Sequence, residues 1–198
     1  MPHDGQDMTL TAPVLLPDLL HLTKAALGPV EAIFDIAREK LRAIVTENDR
    51  ISGKLIEENQ TGSHGLAWLA TYVESLRQMQ GWAERQQADG KFNELEQLLL
   101  QITFGEYLWQ IYGGIPMNQG EILRLQDIGL GQDDMRSMMD ISVMTLTQGG
   151  NTQAARTRLV ELMQEQAGAT MFGGSGLDEE LEMIRDQFRR YSVEKIEP

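Results

Sequence analysis

Two stretches of this sequence are apolar on both sides of a helix, and that leaves few folds open. Between about Lys54 and Gln87, Leu66, Leu69, Val73 and Leu76 recur every three or four residues, and Trp68, Tyr72, Met79 and Trp82 form a second series. Residues two apart on a helix point about 200° from one another, so the two series lie on opposite faces. From about Phe92 to Tyr112 the pattern repeats, with Leu95, Leu98 and Ile102 against Leu100, Phe104, Leu108 and Ile111. A helix apolar on both sides is buried on both sides. The chain therefore needs a central pair of helices, an oligomer contact, or a surface supplied from outside it. Asp89-Gly90-Lys91 is a short turn between the two, which predicts an antiparallel hairpin.

The remaining segments read as helices separated by glycine-rich breaks, with no convincing strand. Residues 1–16 are polar and punctuated by proline, the signature of a flexible arm. From Asp18 to about Glu47, Leu27, Val30, Phe34, Ala37, Leu41 and Ile44 form one stripe, and Gly28-Pro29 predicts a kink or a fresh helix start within it. Asn48-Asp49 and Ser52-Gly53 make the following turn. Gly113-Gly114-Ile115-Pro116 stops the third helix, and a short helical piece is expected from Gly120 to Ile128. Asp133 to Gln148 reads as one methionine-rich helix, broken by Gly149-Gly150. Asn151 is the expected N-cap of a helix from Thr152 to Ala167. Gly168 to Gly176 reads as a flexible linker. Ser175 and Asp178 have capping-box spacing for a last helix from Leu177 to Glu197, whose face is Leu177, Leu181, Ile184, Phe188 and Tyr191. The expected organisation is an arm over 1–16, a helical bundle module over 17–167, and a linker with the first helix of a following domain over 168–198. An amphipathic helix that opens another domain would make the sequence a truncated one.

Charge and composition narrow the function. The 198 residues carry 17 Lys and Arg against 30 Asp and Glu, a net −13 that repels phosphate backbones and anionic headgroups, so neither nucleic acid nor membrane is an expected partner. No cysteine is present, which excludes a disulfide scaffold, a thiolate metal site and a cysteine nucleophile. Lys24 is the first basic side chain, after Asp4 and Asp7, so no export signal is readable and a cytoplasmic location is expected. His3, His21 and His64 stand alone: Ala67 and Trp68 occupy the positions one turn after His64, and no histidine follows a glutamate at di-iron spacing. The acid pairs Glu57-Glu58 and Glu94/Glu96 and the run Asp178-Glu179-Glu180 read as helix N-terminal turns and solvated faces. Phe172-Gly173-Gly174-Ser175-Gly176 lacks the lysine and the preceding strand of a phosphate loop. No catalytic, cofactor-binding or metal-ligating residue is assigned within this chain.

A family resemblance enters through particular residues. Asp178-Glu179-Glu180, then Ile184-Arg185, Phe188-Arg189, Tyr191 and Ile196-Glu197-Pro198, resemble the opening helix of the acyl-CoA dehydrogenase fold. Thr71 to Arg77, Trp82-Ala83-Glu84, and Phe104-Gly105-Glu106 through Gln110-Ile111-Tyr112-Gly113-Gly114 resemble the carboxy-terminal helical bundle of the same family. In that family such a turn helps hold the flavin of a neighbouring subunit. Here Ile115-Pro116-Met117 replace the glycine and aromatic residues that usually follow, so no flavin contact is carried over. The stretches His64 to Val73 and Gln78 to Glu84 resemble members that carry a helical extension ahead of a complete dehydrogenase.

The resemblance implies an all-α, four-helix-bundle-like module plus a terminal linker helix, inactive by itself. It implies that FAD, the glutamate base and the acyl-CoA groove all lie beyond Pro198, with the rest of the dehydrogenase polypeptide and sister subunits as partners. The competing reading is a stand-alone acidic homo-oligomer with no enzymatic activity, dimerising through Trp68, Tyr72, Met79 and Trp82. A third is an apolar-ligand carrier that uses the methionine helix.

Overall fold

The computed structural model describes residues 13–165 and 175–197. Eight α-helices dominate these residues, and the fold is all-α as expected. Helix α1 (Leu19–Val45) packs on α3 (Gln60–Ala88), and α3 packs on α4 (Glu94–Gly113). Helix α4 also packs on α6 (Ile141–Gly149) and α7 (Gln153–Glu165), which makes it the centre of the bundle. Short α2 (Gly53–Glu58) and α5 (Gln132–Met138) lie between the long helices in sequence, and α8 (Glu179–Lys195) comes last.

Of the kink or fresh start expected at Gly28-Pro29, the fresh start is absent: helix α1 is continuous through Pro29. Proline deprives the Ala25 carbonyl of its donor, but Ala25 is an exposed residue and water can replace the lost bond. Ala26, Val30 and Ile33 are fully buried on either side of the proline, so both halves of the helix are packed against the core. The buried seam is Leu19, Thr23, Ala26, Val30, Ile33, Ala37, Leu41 and Val45. It lies slightly around from the predicted stripe: Leu27 and Phe34 become its half-buried flanks and Ile44 is exposed.

The expected turn after α1 is a miniature hairpin, β1 (Thr46–Glu47) against β2 (Arg50–Ile51), with Asn48 and Asp49 at φ 52° and 59°. Positive φ at both central residues is what a two-residue hairpin turn requires, and Asn and Asp tolerate it best after glycine. The second helix is divided at Asn59, so Glu57 and Glu58 close α2 rather than open a helix. Between α3 and α4 the predicted tight turn is present: Gly90 takes φ 68°, and Lys91 N–H donates to the Gln86 carbonyl at 2.8 Å. Asn93 and Glu96 then form a capping box that starts α4.

Past α4 the expectations hold less well. Ile115–Pro116 (β3) pairs with Ile122–Leu123 (β4), and only a 3-10 turn, Leu125–Ile128, is helical where a piece from Gly120 was expected. The methionine-rich segment is two helices, because the Asp140 side chain accepts from Ser142 N–H at 2.9 Å and Val143 N–H at 3.0 Å and so starts α6 anew. Thr152, not Asn151, caps α7, through Ala155 N–H at 3.1 Å. Asp178 alone caps α8, accepting from Leu181 N–H at 2.9 Å. Residues 1–12, 166–174 and 198, which include most of the expected arm and linker, lie outside the described residues.

The end of the arm is fastened, not loose. The fully buried Gln101 amide accepts from Leu16 N–H at 2.7 Å and donates to the Val14 and Gly150 carbonyls at 2.9 and 3.1 Å. Beside it α4 and the α6–α7 junction approach so closely that a Cβ on Gly105 would stand 2.6 Å from Asn151 N. A Cβ on Gly150 would stand 2.9 Å from the Gln101 carbonyl oxygen. Two glycines facing each other therefore set the distance of this crossing.

Candidate functional site

The turn that resembles a flavin contact is committed inside the chain. Tyr72 donates its hydroxyl to Gln110 Oε1 at 2.6 Å, and Gln110 Nε2 donates to Glu106. The other Glu106 oxygen accepts from Asn151 Nδ2, and Arg156 donates to Asn151 Oδ1 at 2.9 Å. Tyr72 also stacks on Tyr107, with ring centroids 4.6 Å apart. Burial, then the neighbouring Tyr107 and Glu106, push the Tyr72 hydroxyl above its ordinary range, so it stays a proton donor to Gln110. Gly114 has φ 133°, and a Cβ there would meet Ile122 at 2.5 Å, so tight packing onto β4 accounts for this glycine. With the Gln110 amide engaged at both ends and Ile115 paired to Leu123, these residues do not fit a flavin-holding turn.

Asn151 enters the sequence reading only as an N-cap and Glu106 only within a resembling stretch, and neither reading joins the two. Glu106 falls between two apolar stripes, where a carboxylate reads as surface, and its partner is 45 residues away. Glu94, read as a helix-start acid, does open α4 and also meets Arg158 of α7 through two parallel bonds of 2.8 Å. Those bonds hold its carboxyl below the usual range.

His64 is exposed and accepts from Trp68 Nε1–H at 2.6 Å, one turn on, with the rings nearly parallel. Among the described residues no group of three or more His, Asp and Glu is placed to hold a metal. None of the described helices is long and apolar enough to cross a membrane.

Among the described residues, two groups of apolar side chains stand exposed. Trp109, 55% exposed, stacks on Tyr112 at the end of α4, beside a groove of about 450 Å³ lined by Tyr112, Met135, Met139 and Met144. Of the methionines in this segment Met138 alone is fully buried in the core. The second surface is the α8 stripe: Leu177, Leu181, Ile184, Phe188 and Tyr191 are all exposed. The face invoked for a dimer is different in kind. Tyr72 is only 9% exposed, and Trp68, Met79 and Trp82 are half-buried against the chain's own core, so that face is largely spent within the molecule.

No family model matches the chain. The chain is similar to (2S)-methylsuccinyl-CoA dehydrogenase of Cereibacter sphaeroides, being 54% identical over 189 residues. Those residues are 96% of this chain and 34% of that protein, so the chain spans about a third of the length of the relative it matches. With that identity over nearly all of its own length, the chain is homologous to a member of the acyl-CoA dehydrogenase family.

Proposed function

We propose that this chain is the amino-terminal helical module of a FAD-dependent acyl-CoA dehydrogenase that oxidises the α,β-bond of an acyl-CoA such as (2S)-methylsuccinyl-CoA in the cytoplasm. On this reading residues 17–167 are the module and residues 168–198 lead into the catalytic part. The observation that carries it is the exposed apolar face of α8, a stripe of which no residue joins the core formed by the other described helices. Its relative's threefold greater length is consistent with a further polypeptide to cover that face. FAD and acyl-CoA chemistry belong to that further polypeptide. The module's contribution is packing: covering the catalytic core, capping it, or joining sister subunits.

The test is to delete residues 1–170 from the full-length enzyme. We expect loss of acyl-CoA-dependent flavin reduction, or a changed particle mass by light scattering. Full turnover in an unchanged oligomer would sink the packing role. A second reading, a stand-alone homo-oligomer, draws support from the exposed Trp109 and Tyr112 stack. It requires a particle made of 22.3 kDa subunits in the source cells. An immunoblot that finds a band several-fold heavier excludes it.

A further inference from the structure

We infer that Gly176 is the seat of a fixed joint that sets the direction of α8 on the bundle, in place of the swivel that its glycine-rich sequence suggests. A glycine in a linker is ordinarily there for freedom. Gly176 has two other reasons to be glycine. Its φ of 68° lies in the left-handed region that side chains avoid. Its missing Cβ also leaves room for the last turns of α3, since a Cβ would stand 3.0 Å from the Trp82 ring, 3.3 Å from Gln86 Nε2 and 3.4 Å from Arg85 Nε.

The backbone is held there as well as admitted. Arg85 Nε–H donates to the Gly176 carbonyl at 3.2 Å, across 91 residues of sequence. Gln86, 1% exposed, forms the floor of the notch. On the other side of Gly176 the chain is tied directly into α8. Leu177 N–H donates to Ser175 Oγ at 3.2 Å, Ser175 Oγ bonds the Glu182 carboxylate, and Asp178 caps the first turn. Each of Ser175, Gly176, Leu177 and Asp178 is thus tied, to α3 or to α8.

A joint of this kind presents the apolar stripe of α8 in one orientation. If the module precedes a catalytic part, as proposed above, the joint fixes how that part is carried. The inference about the joint itself stands on this chain alone.

The absence of cysteine makes the test direct. Spin labels on Thr71→Cys, on α3, and Arg190→Cys, on α8, report the distance between the helices by double electron–electron resonance in the 198-residue chain. The expected result is a single narrow distance peak, lost on Gly176→Val and broadened by Arg85→Ala, with helical circular dichroism unchanged in the latter. A distribution in the parent chain as broad as that of the Gly176→Val chain would overturn the joint. So would a peak that stays narrow in both variants. Neither result bears on the dehydrogenase reading, which stands or falls with the deletion in the full-length enzyme.

Discussion

Helices α4 and α8 both carry apolar residues at helical spacing, on two faces of α4 and on one face of α8, and those side chains have opposite fates. In α4, Phe104 is fully buried, as are Leu98, Leu100 and Leu108, with α3 on one side and α6 and α7 on the other. In α8, Phe188 is 74% exposed and no residue of the helix is buried. The same residue type at the same helical spacing thus does opposite work. The comparison teaches that an apolar stripe states a requirement, while only the rest of the fold says whether the requirement is met inside the chain.

The largest effect that would sharpen the contrast is expected from Phe104→Ala. Removing a fully buried phenylalanine loses its transfer energy and leaves a cavity, at a cost of about 3–5 kcal/mol. Urea denaturation monitored by circular dichroism should show the midpoint falling sharply with the slope preserved. A loss below about 1 kcal/mol would mean that α4 is not the packed centre described here.

A smaller effect is expected where α6 begins. Burial raises the proton affinity of Asp140, but bonds from Ser142 Oγ, Val143 N–H and Ser142 N–H outweigh it and hold the carboxyl below its ordinary value. A carboxyl held lower in the folded chain than in the unfolded one stabilises the fold above its unfolded pKa. That contribution is lost as pH falls through the folded value, so it fades below about pH 4. Asp140→Ala should cost about 1 kcal/mol at neutral pH and proportionately less in acid. Equal destabilisation at pH 7 and pH 3 would show that the charge of the Asp140 carboxylate adds nothing to the cap.

The α3–α4 hairpin was legible because apolar positions three and four apart declare a face whatever surrounds them, and Gly90 marks the turn between the helices. The break at Asp140 was harder to see, since Asp133 to Gln148 suits a continuous helix residue by residue. Its one signal was an aspartate followed by Ser142 and Val143, an N-cap in the middle of a helical run. At Pro29 the sequence suggested a fresh start where the helix continues, because the solvent that can donate to the Ala25 carbonyl does not appear in a local pattern. The two-residue ladders are too short to have a period. Of the functional surfaces, the α8 stripe was visible in full as a pattern. Trp109 and Tyr112 are three apart on α4, so helical spacing places them side by side, but their exposure depends on what the rest of the fold leaves uncovered. The bond from Tyr72 to Gln110 that leads into the flavin-like turn joins residues 38 apart in sequence, which no spacing rule reports.

The smallest expected effect on stability is also the sharpest probe of the contrast. Phe188→Ser removes the most exposed large side chain of α8, and a solvated site away from caps and cores changes stability by no more than about 0.5 kcal/mol. Its effect should appear elsewhere, as reduced binding of a hydrophobic dye or reduced self-association at high concentration, because the exposed stripe loses its most exposed ring. In the full-length enzyme the same substitution should be costly, since there the proposal gives the stripe a partner and the serine hydroxyl would be buried against it. A destabilisation of the 198-residue chain by more than about 1 kcal/mol would break the comparison. It would mean that α8 already spends its face on the bundle and that Phe188 behaves as Phe104 does.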